Sequence, residues 1–318
     1  MTLATIAIPT FNRVATLPRA VTSALAQDYP AIEVVICDNA STDGTEEFCR
    51  ELAGRDRRVR YVRHAENVGP IANFEAGLAA ATGDYFMWLA DDDWVDANYL
   101  SACIGALERG VALVAGRARW FDSEGEVLAE APTRLLDDDG RRRIRDFFRT
   151  VTKASVYYGV SRTETARSRG PLSEATGGDW LFVAALAATG KVETLDTTST
   201  HRSVGGASDA IVGAGWTIPG SVLRDILLAP AYADLGRRRI LLALECGAII
   251  GWRVGVWFPT LALLRRHLGD GGYERLRVRY RSVGRRRSRS EMVRVGTAGQ
   301  SMAREGSSQR IPPAASGA

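Results

Sequence analysis

Through the first 116 residues, short runs of β-branched and aromatic residues alternate with stretches of helical periodicity. Such a pattern demands a sheet whose strands are joined by crossover helices. Strands are expected at Ala4–Pro9, Ile32–Asp38, Val59–Val62, Tyr85–Ala90 and Val111–Ala115. Between the first two, Leu17, Val21 and Leu25 recur every four residues behind Thr16 and Pro18, so one helical face packs on the sheet. Two β-α-β units follow, and the expected class is α/β.

Open α/β sheets bind ligands beyond the carboxyl ends of their strands. Strand one ends in Pro9, Thr10, Phe11, Asn12 and Arg13, and strand two in Asp38, Asn39, Ala40, Ser41, Thr42, Asp43, Gly44 and Thr45. The fourth ends in Asp91, Asp92 and Asp93. Three strands therefore deliver polar clusters to one edge.

Three adjacent aspartates repel one another, so a folded chain keeps them charged only where water, basic partners or a cation offsets the repulsion. Magnesium and manganese take one or two protein carboxylates and complete their shell with water and substrate phosphates. The plainer alternative is that the run caps a helix beginning near Ala97. The chain holds its own control in Asp137, Asp138 and Asp139, which are equally acidic but precede Gly140 and three arginines and follow no apolar strand. That second run reads as an exposed loop or cap. The first follows Tyr85, Phe86, Met87, Trp88 and Leu89, a buried strand that aims it at the ligand edge.

At 318 residues, 46% hydrophobic and 25% charged, the chain has the composition of a folded globular protein rather than a disordered or fibrous one. Lys153 and Lys191 are its two lysines; the rest of its 41 lysines and arginines are arginine, and the formal charge is +4. No aromatic interleaving or nucleic-acid motif accompanies the arginine clusters, so nucleic acid is not an expected partner. Cys37, Cys49, Cys103 and Cys246 form no C-x-x-C pair and sit among apolar neighbours, which fits a reducing cytoplasm. The amino terminus reads as a strand rather than a secretory signal. Residues 177–196 read as a helix and a return strand, with Asp179 at the helix start. Ile240–Leu264 is the most apolar stretch; Glu245 and Arg253 inside it argue against a membrane span, and a buried or subunit-contacting helix is expected. Beyond Gly284 little remains to bury, and a disordered tail is expected.

Taken together, Pro9-Thr10-Phe11-Asn12-Arg13, Asp38 through Thr45, Asn67-Val68-Gly69-Pro70 with Asn73, and Gly83-Asp84-Tyr85 leading into the aspartates resemble the family-2 glycosyltransferases, which have the GT-A fold. The resemblance spans roughly Leu3 to Ser208. It implies a Rossmann-like mixed sheet flanked by helices, a nucleotide-sugar-binding catalytic domain over 1–206, a C-terminal helical extension over 207–283 and a tail over 284–318. It further implies that Pro9, Thr10, Asn12 and Arg13 pack around the nucleotide, that Asp38 accepts a hydrogen bond from the base, and that Asn67, Gly69 and Asn73 belong to the same wall. Asp91 falls near the ribose, Asp92 on the metal-binding acid and Asp93 on a direct or supporting ligand. The first acid of the family's D-x-D pattern is Ala90 here.

The same resemblance makes Asp179, in Gly177-Gly178-Asp179-Trp180, the catalytic base, with Gly178 where a glutamate is usual. It makes His201, in Thr200-His201-Arg202-Ser203, a third metal ligand. The implied enzyme is an inverting, non-processive transferase using Mn2+ or Mg2+. It would move a sugar from a UDP-, dTDP- or GDP-linked donor to a hydroxyl acceptor, in the cytoplasm or at the inner face of the plasma membrane, with a homodimer or a peripheral membrane contact as further options. A sugar nucleotidyltransferase would instead carry a glycine-rich loop and a lysine near the phosphates, and Pro9–Arg13 holds neither. A processive synthase would carry Q-x-x-R-W, which is missing. A degenerate nucleotide-binding module is the third reading, kept open by Ala90 and Gly178.

Overall fold

The computed structural model describes residues 2–151, 154–170, 172, 178–204, 226, 232 and 238–252. The described residues fall in one compact unit, Met1–Gly255. The expectations for the stretch after Trp252 and for the 284–318 tail lie outside the described residues, as does most of 207–237.

Ten strands form one mixed sheet: β1 (Ala4–Thr10), β2 (Ile32–Asp38), β3 (Val59–Arg63), β4 (Tyr85–Trp88), β5 (Trp94–Val95), β6 (Val111–Asp122), β7 (Gly125–Ala129), β8 (Arg134–Leu135), β9 (Val160–Arg162) and β10 (Lys191–Ser203). Their order is β3-β2-β1-β4-β9-β6-β10-β5, with β7 on β6 and β8 on β10. The β3-β2-β1-β4 half is parallel, and Thr10, Asp38 and Arg63 stand level at its carboxyl edge. Antiparallel β9 joins it to the parallel pair β6 and β10.

The side-chain period of two sorts the sheet's residues into two cores. Ile6, Ile8, Tyr85 and Met87 pack beneath α1 (Leu17–Leu25), α2 (Thr45–Arg55) and α4 (Tyr99–Leu107). Ala7, Phe86 and Trp88 pack on the other face with α3 (Pro70–Ala80), α5 (Gly140–Thr150), α6 (Thr163–Ser168), α7 (Gly178–Thr189) and α8 (Arg238–Trp252). Gly77 lets α3 lie close on this face, since a Cβ there would meet the Ala7 Cβ at 2.9 Å. The first five expected strands form, with β6 running seven residues further than the periodicity suggested.

Asp139 caps α5 by accepting from the Arg141 N–H at 2.8 Å, and the Asp138 side chain stays exposed, so the second acidic run is a helix cap as expected. The four cysteines are buried free thiols.

Candidate functional site

The site assembles at the carboxyl edge of the parallel strands. Leaving β1, Asn12 takes a positive φ of 53°, a conformation asparagine tolerates better than most residues. It braces the two loops: its N–H donates to Ser41 Oγ at 2.8 Å, and its Oδ1 accepts from the Thr42 N–H at 2.8 Å. Thr10 is buried beneath, while Phe11 stands 42% exposed at the rim.

Asp38 is fully buried. Its Oδ1 accepts from the Ser41 N–H at 2.9 Å and its Oδ2 from the Tyr61 hydroxyl at 2.6 Å, with Arg63 3.5 Å away. Asn73 donates to the carbonyls of Cys37 (2.9 Å) and Thr10 (3.3 Å), tying β1 to β2 from behind. Asn67 Oδ1 accepts from Asn39 Nδ2 (2.8 Å) and the Gly69 N–H (2.9 Å). Asp38, Asn67 and Asn73 thus shape the wall through bonds to other loops.

The three aspartates have different surroundings. Asp91 lies beside the Thr10 hydroxyl, the Phe11 N–H and the Arg13 guanidinium, which favour its charged form, but burial and then Asp92 outweigh them and push its carboxyl up to about 7. Asp93 is 1% exposed; its Oδ1 accepts from the Ser203 N–H at 2.9 Å, and its Oδ2 pairs with Arg202 Nε at 2.9 Å. Burial raises it to about 6 against the pull of Arg202. Asp92 is half-buried, and among the described residues its carboxylate has no side-chain partner. Its backbone carbonyl is held by Arg19 Nη2 (2.6 Å) and Ser203 Oγ (2.5 Å).

Of the two positions expected for Asp93, its bonds to Arg202 and Ser203 suit the supporting one. His201, expected as a third ligand, has other partners here: its Nε2 pairs with Asp96 Oδ1 at 2.7 Å and its ring stacks on Trp94 at 5.1 Å. The pairing of β10 with β5 is the reason, because it sets His201 level with Trp94, against which its ring lies.

Arg202 is the residue that sequence reasoning passed over. It is 8% exposed, with its guanidinium 4.4 Å from the Tyr158 ring centroid and 4.8 Å from that of Trp120. Burial disfavours its charge, but Asp93, Tyr158, Glu130 and Asp92 outweigh that and hold it above its ordinary range. A visible signal was Trp120 on the neighbouring strand, which stands directly across from Arg202.

Asp179 opens α7. Its side chain is exposed, yet enough protein surrounds the carboxyl that desolvation holds it above the ordinary range despite the Trp180 N–H and Arg202. Burial pushes the Tyr158 hydroxyl up to about 12, and, against Arg202, the charges of Asp93, Asp179 and Asp92 add to the rise.

Among the described residues no cluster of three or more His, Cys, Asp or Glu side chains forms a cage for a metal. The arrangement fits instead a cation held by Asp92, with Asp91 beside it, that draws its remaining ligands from phosphate. A hollow bounded by Leu3, Ile32, Glu33, Arg57 and Arg60 lies at the opposite edge of the sheet, away from these groups.

Comparison with known proteins bears on the family and the fold. The chain is 30% identical over 141 residues to a Campylobacter jejuni GalNAc(5)-diNAcBac-PP-undecaprenol beta-1,3-glucosyltransferase, covering 44% of this chain and 45% of that protein. It is 31% identical over 129 residues to the chondroitin synthase of Pasteurella multocida, covering 40% of this chain and 13% of the synthase. The chain thus spans about half or less of the length of the curated relatives named here. Among solved structures, S. aureus TarS 1-349 in complex with UDP superposes with a TM-score of 0.58 at 15% identity, covering 81% of this chain and 73% of TarS. The mannosyltransferase PcManGT of Pyrobaculum calidifontis, in complex with GDP-Man and Mn2+, superposes at 0.52 with 18% identity over 83% and 79%. These likenesses carry the GT-A fold. The glycosyl transferase family 2 model matches residues 5–174, more than half of the chain, and the chain belongs to that family.

Proposed function

We propose that this glycosyltransferase is an inverting, metal-dependent enzyme that moves a sugar from a nucleoside-diphosphate donor to a hydroxyl acceptor. The observation that carries the reading is Asp92: half-buried at the carboxyl edge of the parallel strands, with no hydrogen bond or ion pair to its carboxylate among the described residues, and next in sequence to Asp91 with its Thr10 and Arg13 neighbours. Complexes of structural neighbours with UDP, UDP-GlcNAc and GDP-Man plus Mn2+ support a nucleotide-sugar donor. A divalent cation on Asp92 would supply Lewis-acid stabilisation of charge on the leaving diphosphate.

In this reading the chain's own groups do the rest. Thr10, Asn12 and Arg13 line the nucleotide side, with Asp38, Asn67, Gly69 and Asn73 fixing the loops behind them. Asp179 takes the acceptor hydroxyl's proton. A single carboxylate on the acceptor side implies one displacement, with inversion at the anomeric carbon. Burial raises its carboxyl above the ordinary aspartate range, which makes its ionised form a stronger base than an ordinary aspartate.

The test is Asp179→Asn. Transfer should fall by about 100-fold or more, the scale of a lost general base, while nucleotide affinity stays within about twofold. Turnover close to wild type would sink the base assignment. Proton NMR of the wild-type product reports the anomeric configuration, and retention would sink the single-displacement reading.

A further inference from the structure

Asp92 owes its orientation to its backbone, because its carboxylate has no side-chain partner among the described residues. That backbone is gripped from outside. Arg19 and Ser203 hold the Asp92 carbonyl, and Ser203 and Arg202 hold the Asp93 carboxylate. Two of these three residues are neighbours at the end of β10. Arg202 is itself held: Nη1 approaches Ser155 Oγ at 3.4 Å, and Trp120 and Tyr158 lie against its guanidinium. Glu130 completes the shell, accepting from Trp120 Nε1 and Ser155 Oγ at 2.7 Å each.

We propose that Arg202 is a positioning residue of the transfer site, fixing the Asp91–Asp93 turn so that Asp92 faces the donor diphosphate. Arg202 is buried and needs no contact with substrate to do this. The site requires arginine in particular. A planar guanidinium can lie over aromatic rings while its edge stays free for other partners, here the Asp93 carboxylate as an ion pair and Ser155 Oγ as a hydrogen-bond acceptor. A lysine ammonium is a point charge and cannot hold both relations. The inference rests on the reading of Asp92 as the donor-side acid.

A residue that merely stabilises the fold would give the same picture, so the test must separate stability from geometry. Arg202→Lys keeps the charge and loses the stacking plane. Arg202→Met combined with Asp93→Asn removes both buried charges together, which spares the cost of leaving either one unpaired. Thermal melts report folding, calorimetric titration of UDP at several Mn2+ concentrations reports the donor site, and steady-state kinetics separate kcat from the acceptor KM. Expected for both variants is a folded protein whose half-saturating Mn2+ concentration for UDP binding rises about 10-fold or more. The kcat should fall on the same scale while the acceptor KM stays put. The double variant should recover melting temperature without recovering either. If either variant folds and keeps Mn2+-supported UDP affinity and kcat within about twofold of wild type, Arg202 is structural only and the proposal is overturned. If the wild type binds neither UDP nor another nucleoside diphosphate more tightly with Mn2+, the Asp92 reading fails first and the positioning role falls with it.

Discussion

Asp91 and Asp179 are both pushed toward their neutral forms, but they respond to pH differently. For Asp91, a folded value near 7 lies above the unfolded value near 4, so its contribution to stability is present at low pH and is lost as pH rises between them. Asp91→Asn imitates the protonated form. In EDTA-treated protein it should leave the melting temperature nearly unchanged at about pH 4 and raise it at about pH 8. An equal effect at both would contradict the burial of that carboxyl. For Asp179 the base must be ionised, so kcat should decline as pH falls through a value above the ordinary carboxylate range. The acids at the strand end were legible in the sequence because a strongly apolar strand led into them. Arg202 was not, because choosing between it and His201 requires knowing that β10 pairs with β5, and a chain read alone does not give that pairing.

The two acidic runs make opposite predictions at the level of elements. Asp139→Ala removes the cap of α5 and should cost about 0.5 to 2 kcal/mol in denaturant unfolding while leaving kcat unchanged. Asp92→Ala should do the reverse, with little change in stability and a loss of turnover. Asn73→Ala removes a buried donor from the Cys37 carbonyl, while the Thr10 carbonyl keeps the Asn39 N–H, and should cost about 1 to 3 kcal/mol. It should weaken nucleotide binding only through the loosened loops. The parallel strands and their helices followed from periodicity, since each is long enough to show one. The two- and three-residue strands β5, β8 and β9 are not, and they form because longer neighbours offer them an edge. β5 nonetheless decides the site, for its Trp94 stands level with His201 and draws that ring away from the aspartates.

Across the whole molecule, the family match covers 5–174. Beyond it, α8 has Leu242, Ala243, Cys246 and Ile250 buried while Ile240, Leu241 and Leu244 are more than half exposed. No helix among the described residues is long and apolar enough to cross a membrane. The expected apolar helix therefore exists in part, with one face in the core. The candidate donor-side residues were readable from the sequence because they gather at strand ends; acceptor-side residues were not, because they depend on helices that bring distant residues together. The most direct test of the donor-site claim is calorimetric titration with UDP, dTDP and GDP, each with Mn2+ and with EDTA, on wild type and Asp92→Ala. At least one nucleotide should bind wild type about 10-fold or more tightly with Mn2+, and Asp92→Ala should erase that difference. An Mn2+ enhancement that survives in Asp92→Ala, or none in the wild type, would contradict it.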